Sequence, residues 1–288
     1  MFGFRKEFQY LECSACGCLQ IAEYPADISN YYPPNYYSFH LPVARINKTW
    51  WKKYKLALKL FLPQRMRSTT MGAWMVNCHA KTSYDILDIG CGKGRLICNL
   101  YNLGFDHVQG IDKYLPEEID YGHGVKVLNK DLSCLPPDTY DILMMHHVLE
   151  HMENQLNVLK ECYRLLRKGR YLLIRIPVKS YAWEKYNTDW VQIDAPRHYY
   201  IHTVESMKNL VSKTDFKINR IEFDSTGFQF WGSEQYKKGI PLMAPDSYFI
   251  DPANSFFSEK EIREFDNEAK NLNLHSKGDQ AVFYLYKA

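Results

Sequence analysis

Glycine recurs at every second position directly after a short apolar segment that ends in Asp88, namely at Gly90, Gly92 and Gly94. Glycine has no Cβ and tolerates positive φ, so such a loop lets the backbone approach a ligand closely. The dinucleotide fingerprint needs a third glycine five residues after the first, where this chain has arginine or isoleucine. The phosphate-binding P-loop is excluded as well, because Lys93 is followed by glycine instead of serine or threonine. The loop therefore predicts close binding of a flat, polar ligand.

Strand-like and helix-like segments alternate around this loop. Apolar residues at spacings of three and four predict a helix over 157–168, which ends at Lys168-Gly169. Thr203 and Ser258 are predicted caps of two further helices, which extend to about residues 214 and 272. Such alternation predicts a parallel sheet covered by helices on both faces. The predicted strands after the one that ends in Asp88 are 107–112, 125–128, 140–145, 171–177, 216–223 and 281–286.

The pattern Asp-x-Gly-x-Gly-x-Gly over 88–94 resembles the first motif of the class I S-adenosylmethionine (SAM) dependent methyltransferases. Asp112 follows at a predicted strand end, about 20 residues on, where doubly wound nucleotide folds place a carboxylate against a ribose. The resemblance covers residues 80–223 and the last strand. It implies a Rossmann-like, doubly wound α/β fold with a seven-stranded, mostly parallel sheet, SAM as cofactor, and direct methyl transfer from a sulfonium to a nucleophile.

Residue by residue, the resemblance implies a cofactor site along the ends of the first strands. Asp88 and the glycine loop would hold the methionine end of SAM, and Asp112 would take both ribose hydroxyls. Asp131 and Leu132 would flank the adenine, and His146 and His147 would line the methyl-transfer side. An acidic residue at a strand end is otherwise a turn former or a helix cap, and Cys91 is otherwise only a space-saving residue. The implied cofactor-binding residues are Asp88, Gly90, Cys91, Gly92, Gly94, Asp112, Lys113, Asp131, Leu132 and His146.

Three histidines are candidate catalytic residues. Residues 190–203, with the helix that Thr203 caps, resemble methyltransferases of surface-polysaccharide and deoxysugar pathways. Those enzymes keep a histidine just before an aromatic pair and a Thr- or Ser-capped helix, and His198 is the matching position. Methylation of a hydroxyl requires proton removal, and histidine titrates near neutral pH, so we expect His198 to be the general base. His147 and His151 are second candidates, because their spacing with Glu150 between them would place them on one helix face. That segment is also consistent with capping and packing, or with a divalent metal as in some quinone-pathway relatives. An amine or carbanion acceptor needs no base.

Residues 50–62 predict a basic amphipathic helix. Its apolar face carries Trp51, Tyr54, Leu58 and Phe61. Its basic face carries Lys52, Lys55 and Lys59. The helix either packs on the sheet or on a partner subunit with its lysines in water, or lies against an anionic lipid surface. Nucleic-acid binding is not expected, because no recognised module accompanies the patch. Residues 28–84 hold nine Lys or Arg and no Asp or Glu, although the net charge is only +3.

Three cysteines, Cys13, Cys16 and Cys18, cluster near the start of the chain. Cys-x-x-Cys-Gly resembles the turn of a zinc knuckle, and the surrounding segment resembles the second half of a zinc ribbon that precedes some sugar-tailoring methyltransferases. A structural zinc usually has four ligands, and no second pair follows. Cys13 and Cys16 are therefore candidate zinc ligands. A vestigial hairpin or an incomplete N-terminus is the alternative.

Length and composition predict one large domain with appendages, since 288 residues with 46% hydrophobic content can bury a full core. No apolar run approaches the ~18 residues of a spanning helix, and the first residues are too polar for a signal peptide. These features predict a cytoplasmic protein, peripheral to the inner face of the membrane if the basic helix binds lipid. The predicted regions are an N-terminal arm (1–44), a basic helical segment (45–80) and a methyltransferase domain (81–288) with an insertion at 224–275.

The predicted function is SAM-dependent methylation of a hydroxyl or amine. The second resemblance favours a sugar or glycan acceptor in polysaccharide biosynthesis. One alternative is a quinone-like or other small aromatic acceptor, and another is a noncatalytic SAM-binding scaffold at the membrane surface. The aromatic segment 227–232 is predicted either to stack on a flat acceptor or to pack in the core. Residues 30–39 read as an extended connector that could cover the site.

Overall fold

The computed structural model describes residues 3, 6–32, 42–47, 50–61 and 70–288. The strands are β1 Tyr10–Glu12, β2 Leu19–Ile21, β3 Asp85–Ile89, β4 His107–Ile111, β5 Ile119–Asp120, β6 Lys126–Leu128, β7 Tyr140–His146, β8 Leu166–Pro177, β9 Tyr200–Ile201, β10 Lys217–Phe223 and β11 Gln280–Lys287. The helices are α1 Trp50–Phe61, α2 Thr70–Asn77, α3 Arg95–Leu103, α4 Gln155–Leu165, α5 Tyr181–Tyr186, α6 Val204–Val211, α7 Phe228–Lys237 and α8 Glu259–Leu274.

Eight strands form the main sheet, in the order β10-β11-β8-β7-β3-β4-β6-β5. The pairs from β8 through β6 are parallel, and β10 and β11 run antiparallel at one edge. This confirms the predicted doubly wound α/β fold, with the two-residue antiparallel β5 added to the seven predicted strands. Because β3 lies between β4 and β7, its carboxyl end opens on the crevice where such sheets bind ligands.

Hydrophobic clusters cover both faces of the sheet. Alternate residues of a strand point to opposite faces, so Ile86 and Ile142 join one cluster while Leu87 and Leu143 join the other. All four side chains are at most 1% exposed. Burying a side chain of this size stabilises the fold by about 1.5–3 kcal/mol. The core therefore fixes the central strands, and with them the loops that follow their carboxyl ends.

The boundary between α4 and β8 differs from the prediction. The helix ends at Leu165 and the strand begins at Leu166, whereas the sequence predicted a helix to residue 168 and a strand from residue 171. Leu166 is fully buried and pairs with Tyr140 of β7. Gly169 has φ of 74° and lies inside the strand, where the register of β7 and β8 shifts. Gly169 therefore lies at an irregularity of the strand, and it does not end the helix.

The N-terminal hairpin packs on the chain segment that follows β8. β1 and β2 are antiparallel, and β2 pairs with β9 through Leu19 opposite Ile201. Leu19 and Ile201 share a third hydrophobic cluster with Trp190 and Phe230. The boundaries at residues 44 and 80 stay a prediction, and most of the 30–39 connector lies outside the described residues. Among the described helices, none is long and apolar enough to cross a membrane.

The insertion between β10 and β11 contains α7 and α8. The aromatic segment 227–232 begins α7, with Phe230 fully buried and Gly232 packed against Val191. Of the two predicted roles for this segment, the structure supports core packing. The capping box at the start of α8 is confirmed, because Glu261 N–H donates to Ser258 Oγ at 3.2 Å and Ser258 N–H donates to Glu261 Oε2 at 2.8 Å.

Candidate active site

The glycine loop lies across the carboxyl end of β4. The N–H of Gly90 donates to the carbonyl oxygen of Ile111 at 2.8 Å. Gly90, Gly92 and Gly94 have φ values of 66°, 53° and 77°. Residues other than glycine rarely adopt this left-handed backbone conformation. The predicted tight backbone turn is therefore present at the predicted residues.

Two of the loop glycines are also required by their neighbours. A Cβ on Gly90 would lie 2.7 Å from both methyl carbons of Val148, and a Cβ on Gly94 would lie 2.6 Å from Val127. Gly94 directly precedes α3, and no side-chain cap hydrogen bond is made at this helix start among the described residues. The first turn of α3 thus lies at the centre of the sheet edge, whereas the N–H groups of Gly90, Gly92 and Gly94 already donate to acceptors within the protein.

Gly110 and Cys91 fill one space beneath the loop, which yields a test of this packing. A Cβ on Gly110 would lie 2.3 Å from Cys91 Sγ and 3.1 Å from Cys91 Cβ. We expect Gly110→Ala to lower the free energy of unfolding by about 1–3 kcal/mol, because a buried methyl group would overlap the thiol. Urea denaturation measures this loss. The double variant Gly110→Ala/Cys91→Gly should recover most of it relative to Cys91→Gly, and equal losses in both backgrounds would contradict the assigned overlap.

Asp112 is held rigidly at the end of β4. Its Oδ2 accepts from Gly92 N–H and its Oδ1 accepts from Tyr114 N–H, each at 2.9 Å. Each carboxylate oxygen can accept a second hydrogen bond. The carboxylate therefore has room to receive both hydroxyls of a ribose without moving, and its contact with a ribose stays a prediction.

Asp88 supplies a second carboxylate beside Asp112. Burial, followed by the negative charge of Asp112, raises the pKa of Asp88 to about 8. Two neighbouring carboxylates of which one is buried favour a cationic ligand, because its charge offsets both the desolvation and the repulsion. SAM, which the sequence resemblance implies, carries a sulfonium and an ammonium group. The residues present thus fit SAM, whose methionine end Asp88 would hold and whose ribose Asp112 would hold.

His198 lies buried in the segment before β9. Its Nδ1 is 2.8 Å from the carbonyl oxygen of Gln192, which can only accept, so Nδ1 carries the proton and Nε2 has a free lone pair. Burial lowers the pKa of His198, whereas the carboxylates of Asp194 and Glu150 oppose this shift. Both carboxylates lie 3.9 Å from Nε2. The imidazole is therefore neutral at pH 7, and the carboxylates can stabilise a proton that it accepts.

Glu150 is the most unusual group of the site. Its side chain is fully buried, and neither carboxylate oxygen has a hydrogen-bond partner within the described part of the chain. Burial raises the pKa of Glu150, and His151 and His198 oppose the shift. The donor atoms of Glu150, His151 and His198 all lie within 4.8 Å of one another. A buried carboxylate needs a compensating cation, so this cluster could hold a protonated imidazole or a divalent metal ion.

His147 and His151 do not share a helix face, contrary to the prediction. Only the short turn Leu149–His151 is helical here, and α4 begins at residue 155, because His147 has φ of 56° and breaks the helix. His147 contacts Glu150 at 3.3 Å through Nδ1 and Arg175 at 2.8 Å through Nε2. Burial and Arg175 lower the pKa of His147 to about 3. Because both nitrogens face fixed partners, His147 is better suited to position Glu150 than to accept a proton.

His151 resembles His198 in its surroundings. Its Nδ1 donates to the carbonyl oxygen of Arg197 at 2.7 Å, which leaves Nε2 as the acceptor nitrogen. The rings of His151 and His198 meet edge to face with centroids 4.7 Å apart. Burial and the neighbouring His198 lower the pKa of His151 to about 4. The structure thus brings two of the three predicted catalytic histidines together.

The remaining predicted cofactor residues surround the crevice in different ways. His146 ends β7 and packs on Trp74, with ring centroids 4.3 Å apart. Asp131 Oδ1 accepts from the N–H and the hydroxyl of Ser133, so it caps the turn that contains Leu132. The Lys113 ammonium lies 5.1 Å from the centroid of the Tyr114 ring. The cofactor contacts of His146, Lys113, Asp131 and Leu132 stay predictions.

The N-terminal arm contributes residues that the sequence did not predict. Tyr10 donates its hydroxyl to the carbonyl oxygen of His198 at 2.7 Å, and Thr203 donates to the carbonyl oxygen of Cys16. Tyr32 Oη lies 3.4 Å from His151 Nδ1. These partners are separated by more than 100 positions in the chain. No local pattern could have indicated them.

The cysteines lie on the turn between β1 and β2. Hydrogen bonds from the backbone of Cys16 and Ala15 lower the pKa of the exposed Cys13 thiol, which is the environment of a metal-binding thiolate. Cys18 instead faces inward, with Sγ 3.9 Å from His202 Nδ1. Among the described residues, no third donor completes a site with Cys13 and Cys16. A zinc ion at this pair stays a prediction.

Comparisons with known proteins identify the family of the chain. The sequence model of a family described as "Methyltransferase domain" matches residues 54–221. The ubiquinone biosynthesis O-methyltransferase of Maricaulis maris (strain MCS10) is 31% identical over 180 residues, which cover 54% of this chain and 68% of that protein. A protein of the same description from Paraburkholderia xenovorans (strain LB400) is 26% identical over 136 residues, which cover 42% of this chain and 58% of the relative.

Among solved structures, that of the cyclase SpnF is similar with a TM-score of 0.50 at 15% identity, covering 85% of this chain and 97% of that one. At this identity the similarity concerns the fold alone. The family match covers more than half of the chain and contains both the glycine loop and Asp112. The chain therefore belongs to the class I SAM-dependent methyltransferases, and it is a methyltransferase with SAM as its cofactor.

Proposed function

We propose that this enzyme methylates a hydroxyl group on a small aromatic, quinone-like acceptor, with His198 as the general base. The observation that carries the catalytic part is the free Nε2 of a buried, neutral His198, with two carboxylates 3.9 Å away. The acceptor class is supported by the relatives, which are named ubiquinone biosynthesis O-methyltransferases. These names favour the aromatic alternative over the sugar acceptor that the sequence resemblance suggested.

The residues of the site have separate tasks in this proposal. Asp88, the glycine loop and Asp112 would hold and orient the cofactor. When bound, SAM would supply a methyl group on a sulfonium sulfur, and that sulfur would leave as a neutral thioether. His198 Nε2 accepts the hydroxyl proton, so the attacking oxygen gains electron density as its bond to carbon forms. Glu150 and Asp194 stabilise the resulting imidazolium.

Aromatic rings pack beside the end of β7. The rings of His146 and Trp74 contact each other with centroids 4.3 Å apart, and the Arg175 guanidinium lies 5.6 Å from the centroid of the Trp74 ring. In this proposal a flat acceptor packs next to these rings with its hydroxyl toward His198. Correct alignment of the reacting atoms supplies a large share of the rate in such a transfer.

The Glu150 cluster supports a second role for the same residues. Because Glu150, His151 and His198 place three donors within 4.8 Å, they could instead ligate a divalent cation that binds the acceptor oxygen. Nitrogen and carboxylate donors together suit several first-row metals. In that arrangement the cation, and not the imidazole, lowers the pKa of the acceptor hydroxyl.

An acceptor screen tests the proposed substrate class. Purified full-length protein is incubated with SAM and one of three acceptors: an ortho-dihydroxybenzene with a short alkyl chain, a nucleotide-linked deoxysugar, or an aromatic amine. We expect formation of S-adenosylhomocysteine and of a mono-O-methylated product with the dihydroxybenzene. The matched dimethoxybenzene, which has no free hydroxyl, controls for uncoupled turnover. Product from the sugar but not from the phenol would replace the aromatic acceptor with a glycan.

A further inference from the structure

Helix α1 is attached to the domain by one defined face. Leu56 is 1% exposed and belongs to the hydrophobic cluster that α2 and α3 also line. Lys53 forms an ion pair of 2.6 Å with Asp106. Gly104 at the end of α3 allows close approach, since a Cβ there would lie 2.9 Å from the carbonyl oxygen of Lys52. These contacts fix the rotation of α1 about its axis.

The opposite face of α1 carries an apolar stripe, formed by Trp51, Tyr54 and Leu58. Their spacings of three and four residues align them along one side of a helix. Trp51 is 59% exposed, Tyr54 is 65% exposed and Leu58 is 61% exposed. If α1 packed on the domain through its apolar face, these three side chains would be buried. They are exposed instead, and Leu56 makes the contact with the core. The sequence alone could not distinguish these two orientations.

Positive charge borders the apolar stripe. At 100° per residue, Lys52 and Lys55 lie between the stripe and the buried face of α1. The segment 28–84 contains nine basic residues and no acidic residue, so no carboxylate of that segment neutralises them. Lys53 is the exception, because Asp106 pairs with it. Within the described part of the chain, Lys52 donates to the carbonyl oxygen of Asn47, and no ion pair forms at Lys52 or Lys55. The surface therefore combines exposed aromatic and aliphatic groups with lysines that no described carboxylate neutralises.

We propose that the apolar stripe and its lysines dock the enzyme on an anionic lipid bilayer. Charge complementarity selects this occupant. Tryptophan, tyrosine and leucine side chains suit the boundary between headgroups and acyl chains, and lysines at the edge reach lipid phosphates. A second copy of α1 would oppose lysines to lysines, and a nucleic acid would leave Leu58 without an apolar partner. This docking is independent of the acceptor class.

Cosedimentation with vesicles tests the proposal. The full chain is mixed with vesicles of phosphatidylcholine containing 30% phosphatidylglycerol, and with vesicles of phosphatidylcholine alone, at about 0.1 M salt. We expect binding to the anionic vesicles, with at least 10-fold weaker binding to the neutral ones. Lys52→Gln/Lys55→Gln should weaken binding about 30-fold, the combined effect of two lysines near an anionic surface. Trp51→Ser/Leu58→Ser should weaken it at least 10-fold by removing apolar insertion.

An exposed lysine and an exposed leucine on α8, away from α1, provide a control pair. Lys270 is exposed and Leu274 is 83% exposed, one turn apart, so Lys270→Gln/Leu274→Ser should leave binding unchanged. Thermal melting and S-adenosylhomocysteine affinity verify that every variant is folded, since none of the changed side chains is buried. Failure of the parent protein to bind anionic vesicles, or equal binding by the stripe and control variants, would overturn the proposal.

Discussion

Replacing Asp112 with alanine should weaken the binding of S-adenosylhomocysteine by at least 100-fold. The carboxylate is preorganised by Gly92 N–H and Tyr114 N–H, so it can accept two ribose hydroxyls without reorganisation. A hydrogen bond to a charged group contributes about 1.5–3 kcal/mol, and two of them exceed the roughly 2.8 kcal/mol that a 100-fold change in affinity requires. Isothermal titration calorimetry of the purified proteins measures the two dissociation constants.

Asp120 offers a matched control for this experiment. Like Asp112, Asp120 accepts a hydrogen bond from the backbone N–H two positions further on, with Gly122 N at 2.8 Å from Asp120 Oδ1. Unlike Asp112, it lies in β5 at the far edge of the sheet. Asp120→Ala should leave the affinity within about two-fold, although it also removes the ion pair with Lys126. An Asp112→Ala variant that is folded and binds as tightly as the Asp120→Ala variant would refute the assignment of Asp112 to the ribose.

The turn of the glycine loop and the position of Asp112 at a strand end were predictable because their signals are local in the chain. The glycine loop and Asp112 each follow a strand directly, and strand ends meet at one edge of a parallel sheet. The loop needs glycine because its backbone adopts positive φ values at these positions. Such features depend on a few consecutive residues and on the hydrophobic pattern of the strands, both of which the sequence contains.

The cluster around His198 depends on contacts between distant parts of the chain. Tyr10 reaches His198 across 188 positions, and Glu150 meets His198 only because the segment before β9 packs on the turn after β7. The local pattern around His147 even suggested a helix that the structure does not have. Tertiary packing decided that geometry, which a helical spacing rule cannot anticipate.

Aromatic residues show the same limit of local patterns. The exposed Trp51 and the buried Phe230 both occur in helices with mixed polar and apolar neighbours. Phe230 is enclosed by the segment that holds Trp190, and Trp51 faces outward because Leu56 occupies the core. Hydrophobicity alone could not predict which of the two would line a surface.

His198→Asn should lower kcat with the methylated acceptor by about 10²- to 10⁴-fold while leaving the affinity for S-adenosylhomocysteine within two-fold. Asparagine can still donate to the carbonyl oxygen of Gln192, as Nδ1 does, but it has no group in place of Nε2. The loss of kcat would therefore result from the missing proton acceptor and not from a collapsed loop. General base catalysis typically contributes a factor of this size. Initial rates of S-adenosylhomocysteine release, at saturating SAM, provide the measurement.

His202→Asn is the matched control, since His202 is a buried histidine four positions along the chain. Both of its ring nitrogens already have partners, Ser206 Oγ at 2.9 Å and Gln155 Oε1 at 2.8 Å, so the change should lower stability but keep kcat within about three-fold.

A chelator separates the two roles proposed for His198. If the wild-type enzyme keeps its rate in EDTA, the imidazole is the base, whereas a loss that Mg²⁺ or Mn²⁺ restores makes Glu150, His151 and His198 cation ligands. A His198→Asn enzyme that retains more than a tenth of the wild-type kcat would exclude both roles, because each requires Nε2.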